Sequence, residues 1–169
     1  MSARVNPAHG ASLSEPATMR GLRLGGHPVH PALVHFPVAC WTAAPVTDIV
    51  YLVLRQPAWW QASWWLLAIG CLTGLAAIAA GALDLFAIPA DHPAQPVAQR
   101  HLLLMGSVWC LLLLNLLLRP RSAVPDAWIM WVGCVLSVGG WLGMLAGAYA
   151  GARLVYEFGI GHTHNHGNT

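Results

Sequence analysis

The sequence predicts an all-α polytopic membrane protein, folded as a bundle of four transmembrane helices. Composition is the first observation, because 57% of the 169 residues are hydrophobic and only 8% are charged. A soluble domain would carry about 25% charged residues. Patterning is the second, since runs such as Leu111 to Leu114 are apolar on every side and lack the period-2 alternation of a membrane β-barrel. The third is the length of the apolar stretches.

Four apolar stretches are each long enough to cross a bilayer, which takes roughly 20 helical residues. They lie at about residues 31–54, 58–88, 97–118 and 127–156. These are the first to fourth predicted spans, within a transmembrane domain over residues 27–160. We expect a flexible polar tail at residues 1–26 and a His-rich tail at residues 161–169. The lipid bilayer is therefore an expected partner.

The arginines predict how the bundle is oriented. The net charge of +2 is too small and too scattered for a nucleic-acid partner. The positive-inside rule predicts cytoplasmic termini for a multi-pass protein of the bacterial inner membrane. This prediction depends on counting the arginines at each end of the bundle. The end with the termini and the loop between spans two and three has five, Arg4, Arg20, Arg23, Arg100 and Arg153. The other end has three, Arg55, Arg119 and Arg121.

Glycines in the fourth span form a stripe of small residues. Gly139, Gly143, Gly147 and Gly151 recur every four residues. Such a stripe lets another helix approach closely, either inside the bundle or in a homo-oligomer. The sequence shows no evident internal repeat.

All nine histidines fall on the side of the membrane that holds the termini. They are His9, His27, His30, His35, His92, His101, His162, His164 and His166. His35 and His101 lie about one turn inside the first and third spans, and Asp84 lies about one turn before the second span ends. The fourth span closes with Arg153, Tyr156 and Glu157. Each span therefore places a polar side chain in one layer, where an unpaired group would be costly.

Three interpretations of this layer remain open. In the first, His35 and His101 on diagonal helices are the axial ligands of a b-type haem in an electron-transfer subunit, with a redox protein or a quinone as partner. In the second, residues such as His27, His30 and Asp84 bind a divalent metal ion, as could His162, His164 and His166 in the tail. In the third, the layer is an internally satisfied hydrogen-bond network without a cofactor, which holds the helix ends together or relays protons.

A second polar layer is expected near the opposite face. Asp48 follows His35 by 13 residues and Asn115 follows His101 by 14, in two spans that run in the same direction. We expect Asp48 and Asn115 to hydrogen-bond to each other and fix the helix register. Motifs of hydrolases, transferases or nucleotide-binding enzymes are missing, so the sequence supports at most a redox subunit.

Several stretches resemble bacterial membrane proteins of domain of unknown function family 2231. They are GHPVHPALVHFPVA (Gly26 to Ala39), GALDLFAIP around Asp84, the start of the third span with His101, and GARLVYEFGIG (Gly151 to Gly161). The resemblance covers nearly everything from about Leu24 onward, and departs after Gly161, where the His-rich tail begins.

The resemblance implies a four-helix integral membrane domain and supplies no activity. It also implies that a set of residues occupies signature positions of the family: His27, His30, His35, Asp84, His101, Gly151, Tyr156, Gly159 and Gly161. Some chains similar to this domain also carry Rieske or c-type cytochrome modules. That association favours electron transfer by analogy.

Overall fold

The computed structural model describes residues 21–121 and 125–161. Within them, four helical segments are long and apolar enough to cross a membrane, which confirms the predicted fold class. The chain forms, in order, β1 (Arg23–Leu24), β2 (His27–Pro28), α1 (Val29–Leu33), α2 (His35–Leu54), α3 (Pro57–Phe86), α4 (Gln95–Leu118) and α5 (Ala127–Tyr156). Helices α1 and α2 together make the first span. The first three spans begin one or two residues earlier than the sequence predicts.

The helices are arranged so that each one packs on two neighbours. Helix α2 packs on α3 and α5, and α4 packs on the same two helices. Helices α2 and α4 are therefore diagonal to each other, as are α3 and α5. Because short connections join successive spans, α2 and α4 run in one direction and α3 and α5 in the other.

The first span is interrupted at Val34, between α1 and α2. Pro37 explains the interruption, because proline lacks an N–H and its ring clashes with the carbonyl four residues earlier, that of Leu33. The chain nevertheless continues in the same direction, since Val34 N–H still donates to the His30 carbonyl at 3.2 Å. Pro45 is buried inside α2.

Residues 21–28 fold into a small hairpin, although the sequence predicts a flexible tail over residues 1–26. Strands β1 and β2 pair in antiparallel fashion, and Gly25 and Gly26 between them have φ of +57° and +83°. Glycine adopts such values without steric penalty, as a type I′ turn requires. The Leu22 N–H donates to Asp84 Oδ1 at 2.7 Å and thereby ties the hairpin to α3. Residues 1–20 of the predicted tail lie outside the described residues.

The glycine stripe of α5 packs against α4 within the same chain. A Cβ built at Gly143 would lie 2.9 Å from Val108, and one at Gly151 would lie 3.0 Å from the His101 ring. At Gly147 it would meet Met105. This contact is the first of the two alternatives, packing inside the bundle.

The two helix pairs repeat each other in structure, which corrects the expectation of no internal repeat. Helices α3 and α5 each have 30 residues, and seven of the eight buried residues of α3 have a buried counterpart 70 positions later: Trp60 and Met130, Ser63 and Gly133, Leu67 and Ser137, Gly70 and Gly140, Gly74 and Met144, Ala77 and Gly147, Ala80 and Ala150. The counterparts are rarely the same amino acid. What is repeated is which positions face inward, so inspection of residue identities misses it.

The same relation links the first and third spans with an offset of 71 residues. Its buried pairs are Pro37 and Val108, Trp41 and Leu112, Ala44 and Asn115, and Asp48 and Arg119. Since the paired helices run in the same direction, the relation is a pseudo-twofold rotation about an axis along the bundle, the symmetry of a parallel repeat.

Candidate functional site

The structure brings His30 and His101 together near the end of the bundle where the hairpin lies and where α5 ends. His30 is on α1 and His101 is in the first turns of α4, so they come from diagonal spans. Their ring centroids are 6.2 Å apart and their ring planes cross at 82°. The two residues are 71 positions apart, the offset of the repeat, and they therefore face each other across the pseudo-twofold axis.

Both rings are anchored to backbone carbonyls of the neighbouring helices. Nδ1 of His30 lies 2.8 Å from the Ala77 carbonyl oxygen of α3, and Nδ1 of His101 lies 2.8 Å from the Gly147 carbonyl oxygen of α5. Because a carbonyl only accepts hydrogen bonds, each Nδ1 must carry the proton. In the neutral form of each ring, Nε2 is then the nitrogen without a proton, and this is the form that binds a metal.

The histidine pair lines an apolar cavity of about 340 Å³. Along α3 the lining runs from Gly74 to Leu85, a length of about 16 Å at 1.5 Å per residue. Trp41 and Met144 line its deep end, and Ile160 lines the end near the chain terminus. Cavities of this size, mostly apolar with a few polar groups, are typical of cofactor and ligand sites.

The sequence predicts that His35 faces His101, but in the structure it does not. Its side chain is exposed, with Nδ1 3.3 Å from the Ala32 carbonyl, and it does not line the cavity. Five helical residues turn through about 500°, so His30 and His35 point about 140° apart. Only one of them can face the axis, and the structure selects His30.

The predicted metal ligands near this end are separated. His27 is exposed in the hairpin, whereas Asp84 lines the cavity and accepts the Leu22 N–H. Among residues 21–121 and 125–161, no three His, Cys, Asp or Glu side chains stand close enough to hold a metal ion. The tail residues His162, His164 and His166 lie outside the described part of the chain.

Arg153, Tyr156 and Glu157 lie apart from the histidine pair. Arg153 and Glu157 form an exposed ion pair of 2.8 Å one helical turn apart. The hydrogen bonds from Arg153 hold the pKa of the Glu157 carboxyl below its ordinary value. Tyr156 is 85% exposed. The chain leaves α5 through an αL cap, in which Gly159 has φ +66° and its N–H donates to the Val155 carbonyl at 3.1 Å.

The second polar layer is built around Arg119, a residue predicted from the sequence to be a loop charge. Arg119 follows α4 and is 4% exposed, and its side chain reaches back into the bundle. Asp48 accepts two hydrogen bonds of 2.6 Å from the guanidinium. Asn115 Oδ1 accepts from Arg119 Nε at 2.8 Å. Arg119 thus bridges Asp48 and Asn115, in place of the direct hydrogen bond between them that the sequence predicts.

Two hydroxyls complete the coordination of the guanidinium. Ser63 Oγ of α3 accepts from Nη1 at 2.8 Å, and Ser137 Oγ of α5 accepts from Nη2 at 2.9 Å. Together with Asp48 and Asn115, these contacts use all five N–H groups of Arg119. The Trp60 ring covers the guanidinium at 4.3 Å. The layer is internally satisfied, and its hydrogen bonds join all four spans.

A spacing in the sequence links this layer to the histidine pair. His30 precedes Asp48 by 18 residues, and His101 precedes Arg119 by 18. Eighteen residues are five turns of α-helix, so the two members of each pair lie on one helix face. This spacing could have identified both His30 and Arg119 as inward-facing residues.

The comparison with known families covers most of the chain. The model of a family described as predicted membrane protein (DUF2231) matches residues 26–164. The chain belongs to this family. The matched region of this DUF2231 member contains all five helices, both histidines of the pair and the Arg119 layer. No curated protein and no solved structure matches the chain.

Proposed function

We propose that this DUF2231 member binds one haem b through His30 and His101 and transfers electrons within the membrane. The observation that carries the proposal is the histidine pair itself. Two imidazoles on one metal ion stand roughly 6 Å apart between ring centres, because a metal–nitrogen bond is about 2 Å long. The ring centroids of His30 and His101 are 6.2 Å apart.

The surroundings of the pair fit a haem better than a divalent metal ion. A structural metal site needs about four ligands, whereas a haem iron with two histidines needs no further protein ligand. The cavity around the rings is long and apolar, as a porphyrin requires. The Ala77 and Gly147 carbonyls fix the Nδ1–H tautomer, as partners of metal-binding histidines do. When bound, the haem would exchange one electron at its iron.

The site lies at the end of the bundle that we propose to face the cytoplasm, in the inner membrane of a bacterium. Either a redox protein or a quinone would then exchange electrons near this end. The lining residues Pro28, Ile88 and Ile160, from three different segments, support access from here.

The proposal is tested by a reduced-minus-oxidised absorption spectrum of the purified protein, expressed with haem in excess. We expect a b-type signal near one haem per chain. His30→Ala and His101→Ala should each abolish this signal, because the spectrum of a six-coordinate b-type haem requires both axial imidazoles. His35→Ala is the matched control and should keep the full signal, since its ring is exposed. An unchanged b-type spectrum in either of the first two variants would contradict the assignment.

A structural module is the second candidate function. His30 links α1 to α3, and His101 links α4 to α5, through hydrogen bonds of 2.8 Å. If this were their whole role, the purified protein would show no chromophore, and both alanine variants would lower its melting temperature. Metal analysis of the same sample tests a divalent ion, which the His-rich tail could also bind.

A further inference from the structure

One side of the histidine pair is held by two residues of α3, Ala77 and Gly81, which we call the α3 clamp. The Ala77 carbonyl binds Nδ1 of His30, and the His30 ring lies directly against Gly81. A Cβ built at Gly81 would lie 2.9 Å from Cε1 and 3.0 Å from Nδ1 of the ring. Real Cβ atoms are rarely found so close, so a glycine is needed for this placement of the ring.

The other side is held in the same manner by Gly147 and Gly151 of α5, the α5 clamp. The Gly147 carbonyl binds Nδ1 of His101, and the ring lies against Gly151. A Cβ at Gly151 would lie 3.0 Å from Cε1 and 3.2 Å from Nδ1. In each clamp the glycine follows the carbonyl residue by four positions, and the two clamps are 70 residues apart. They are therefore equivalent members of the repeat.

Each clamp restricts its ring in two ways. The carbonyl fixes which nitrogen points to the helix, and the glycine backbone limits rotation of the ring about its bond to Cβ. Both clamps consist of backbone groups of the protein, on two diagonal helices. They therefore set the ring planes without any bound group. The planes of His30 and His101 cross at 82°.

We propose that the two clamps are positioning elements that hold the axial histidines crossed, so that an iron bound by both has nearly perpendicular imidazole planes. This inference rests on the proposed haem site. Gly81 and Gly151 act through the rings and do not bind the iron themselves. The orientation of axial ligands is one of the means by which a protein adjusts the electronic state of a haem.

The test is the low-temperature electron paramagnetic resonance (EPR) spectrum of the oxidised, haem-loaded full-length protein. Crossed imidazole planes leave two iron d orbitals nearly equal in energy, which gives a low-spin signal dominated by one feature at low field. Parallel planes give a rhombic signal with three resolved features. We expect the first form. A rhombic signal at full haem content would overturn the inference and leave haem binding intact.

Substitutions in the clamps show whether the glycines set the ring planes. Gly81→Ala and Gly151→Ala should each shift the EPR signal toward the rhombic form, by similar amounts because the clamps are equivalent. Gly106→Ala on α4 is the control, since a Cβ there meets no atom within 4 Å and the signal should not change. Unchanged signals in both clamp variants, at full haem content, would overturn the inference.

A measurement without haem tests the carbonyl half of each clamp. Nitrogen-15 NMR of histidine-labelled full-length protein should show the Nδ1–H tautomer for both His30 and His101, each assigned by the loss of its signal in the alanine variant. An Nε2–H tautomer at either residue would overturn positioning by the carbonyls. Absence of any haem signal in the absorption spectrum would instead overturn the proposed function, so the two failures are distinguishable.

Discussion

Arg119 and Asp48 form a charge pair that is buried at both partners, with side-chain exposures of 0% and 1%. Charges inside a membrane bundle persist only where every polar group finds a partner. Here the carboxylate takes two guanidinium hydrogen bonds, and two serines and an asparagine take the remaining N–H groups. Removing one charge would leave the other buried and unpaired, which is costlier than the pair itself is favourable.

We therefore expect Asp48→Ala to lower the free energy of unfolding by about 3–5 kcal/mol, the range for breaking a buried ion pair. Asp91→Ala is the matched control, because Asp91 is exposed in the loop between α3 and α4. Thermal unfolding of both variants in the same detergent measures the difference. Equal melting temperatures for the Asp48 and Asp91 variants would show that the Arg119 layer contributes little to stability.

At the scale of helices, contacts between α4 and α5 depend on which glycines face the neighbouring helix. Gly139 and Gly140 are adjacent in sequence but point in different directions. A Cβ at Gly140 would lie 2.7 Å from Cγ of the buried Leu112, whereas one at Gly139 would meet Leu111 only at 4.0 Å. The first is a steric overlap and the second is ordinary van der Waals contact.

Gly140→Ala should therefore destabilise the bundle by about 1–3 kcal/mol, the usual cost of overpacking a core. Gly139→Ala should be neutral or slightly stabilising, since alanine is the better helix former. The two variants add the same methyl group at adjacent positions, so thermal unfolding compares them directly. A larger loss at Gly139 would mean that α5 is rotated relative to this packing.

The sequence predicted the spans well because the length and apolar character of a helix are local properties. It predicted the site less well because the direction of a side chain depends on tertiary packing. Depth in the membrane favoured His35, whereas the face of the helix selects His30, in register with Asp48. Arg119 looked like a loop charge, since nothing local shows that its side chain reaches back to Asp48.

Over the whole molecule, the repeat explains why both polar layers lie on one axis. Residues 71 positions apart face each other across it, which pairs His30 with His101 and Asp48 with Arg119. At one end the paired residues are identical, and at the other they have opposite charge. The opposite charges match one half of the bundle to the other, since two copies of the same half would place like charges together at this point.

The buried Arg119 also changes the charge balance that determines orientation. Paired with Asp48 inside the bundle, it no longer counts as a loop charge, which leaves Arg55 and Arg121 on the side opposite the termini. The positive-inside rule then favours cytoplasmic termini more strongly. Labelling of intact spheroplasts with a membrane-impermeant maleimide tests this orientation in two variants, each with one added cysteine at an exposed aspartate. The unsubstituted chain gives the background labelling from its own four cysteines. Asp126→Cys should be labelled from outside, and Asp91→Cys only after permeabilisation; the reverse pattern would place the histidine pair at the outer face.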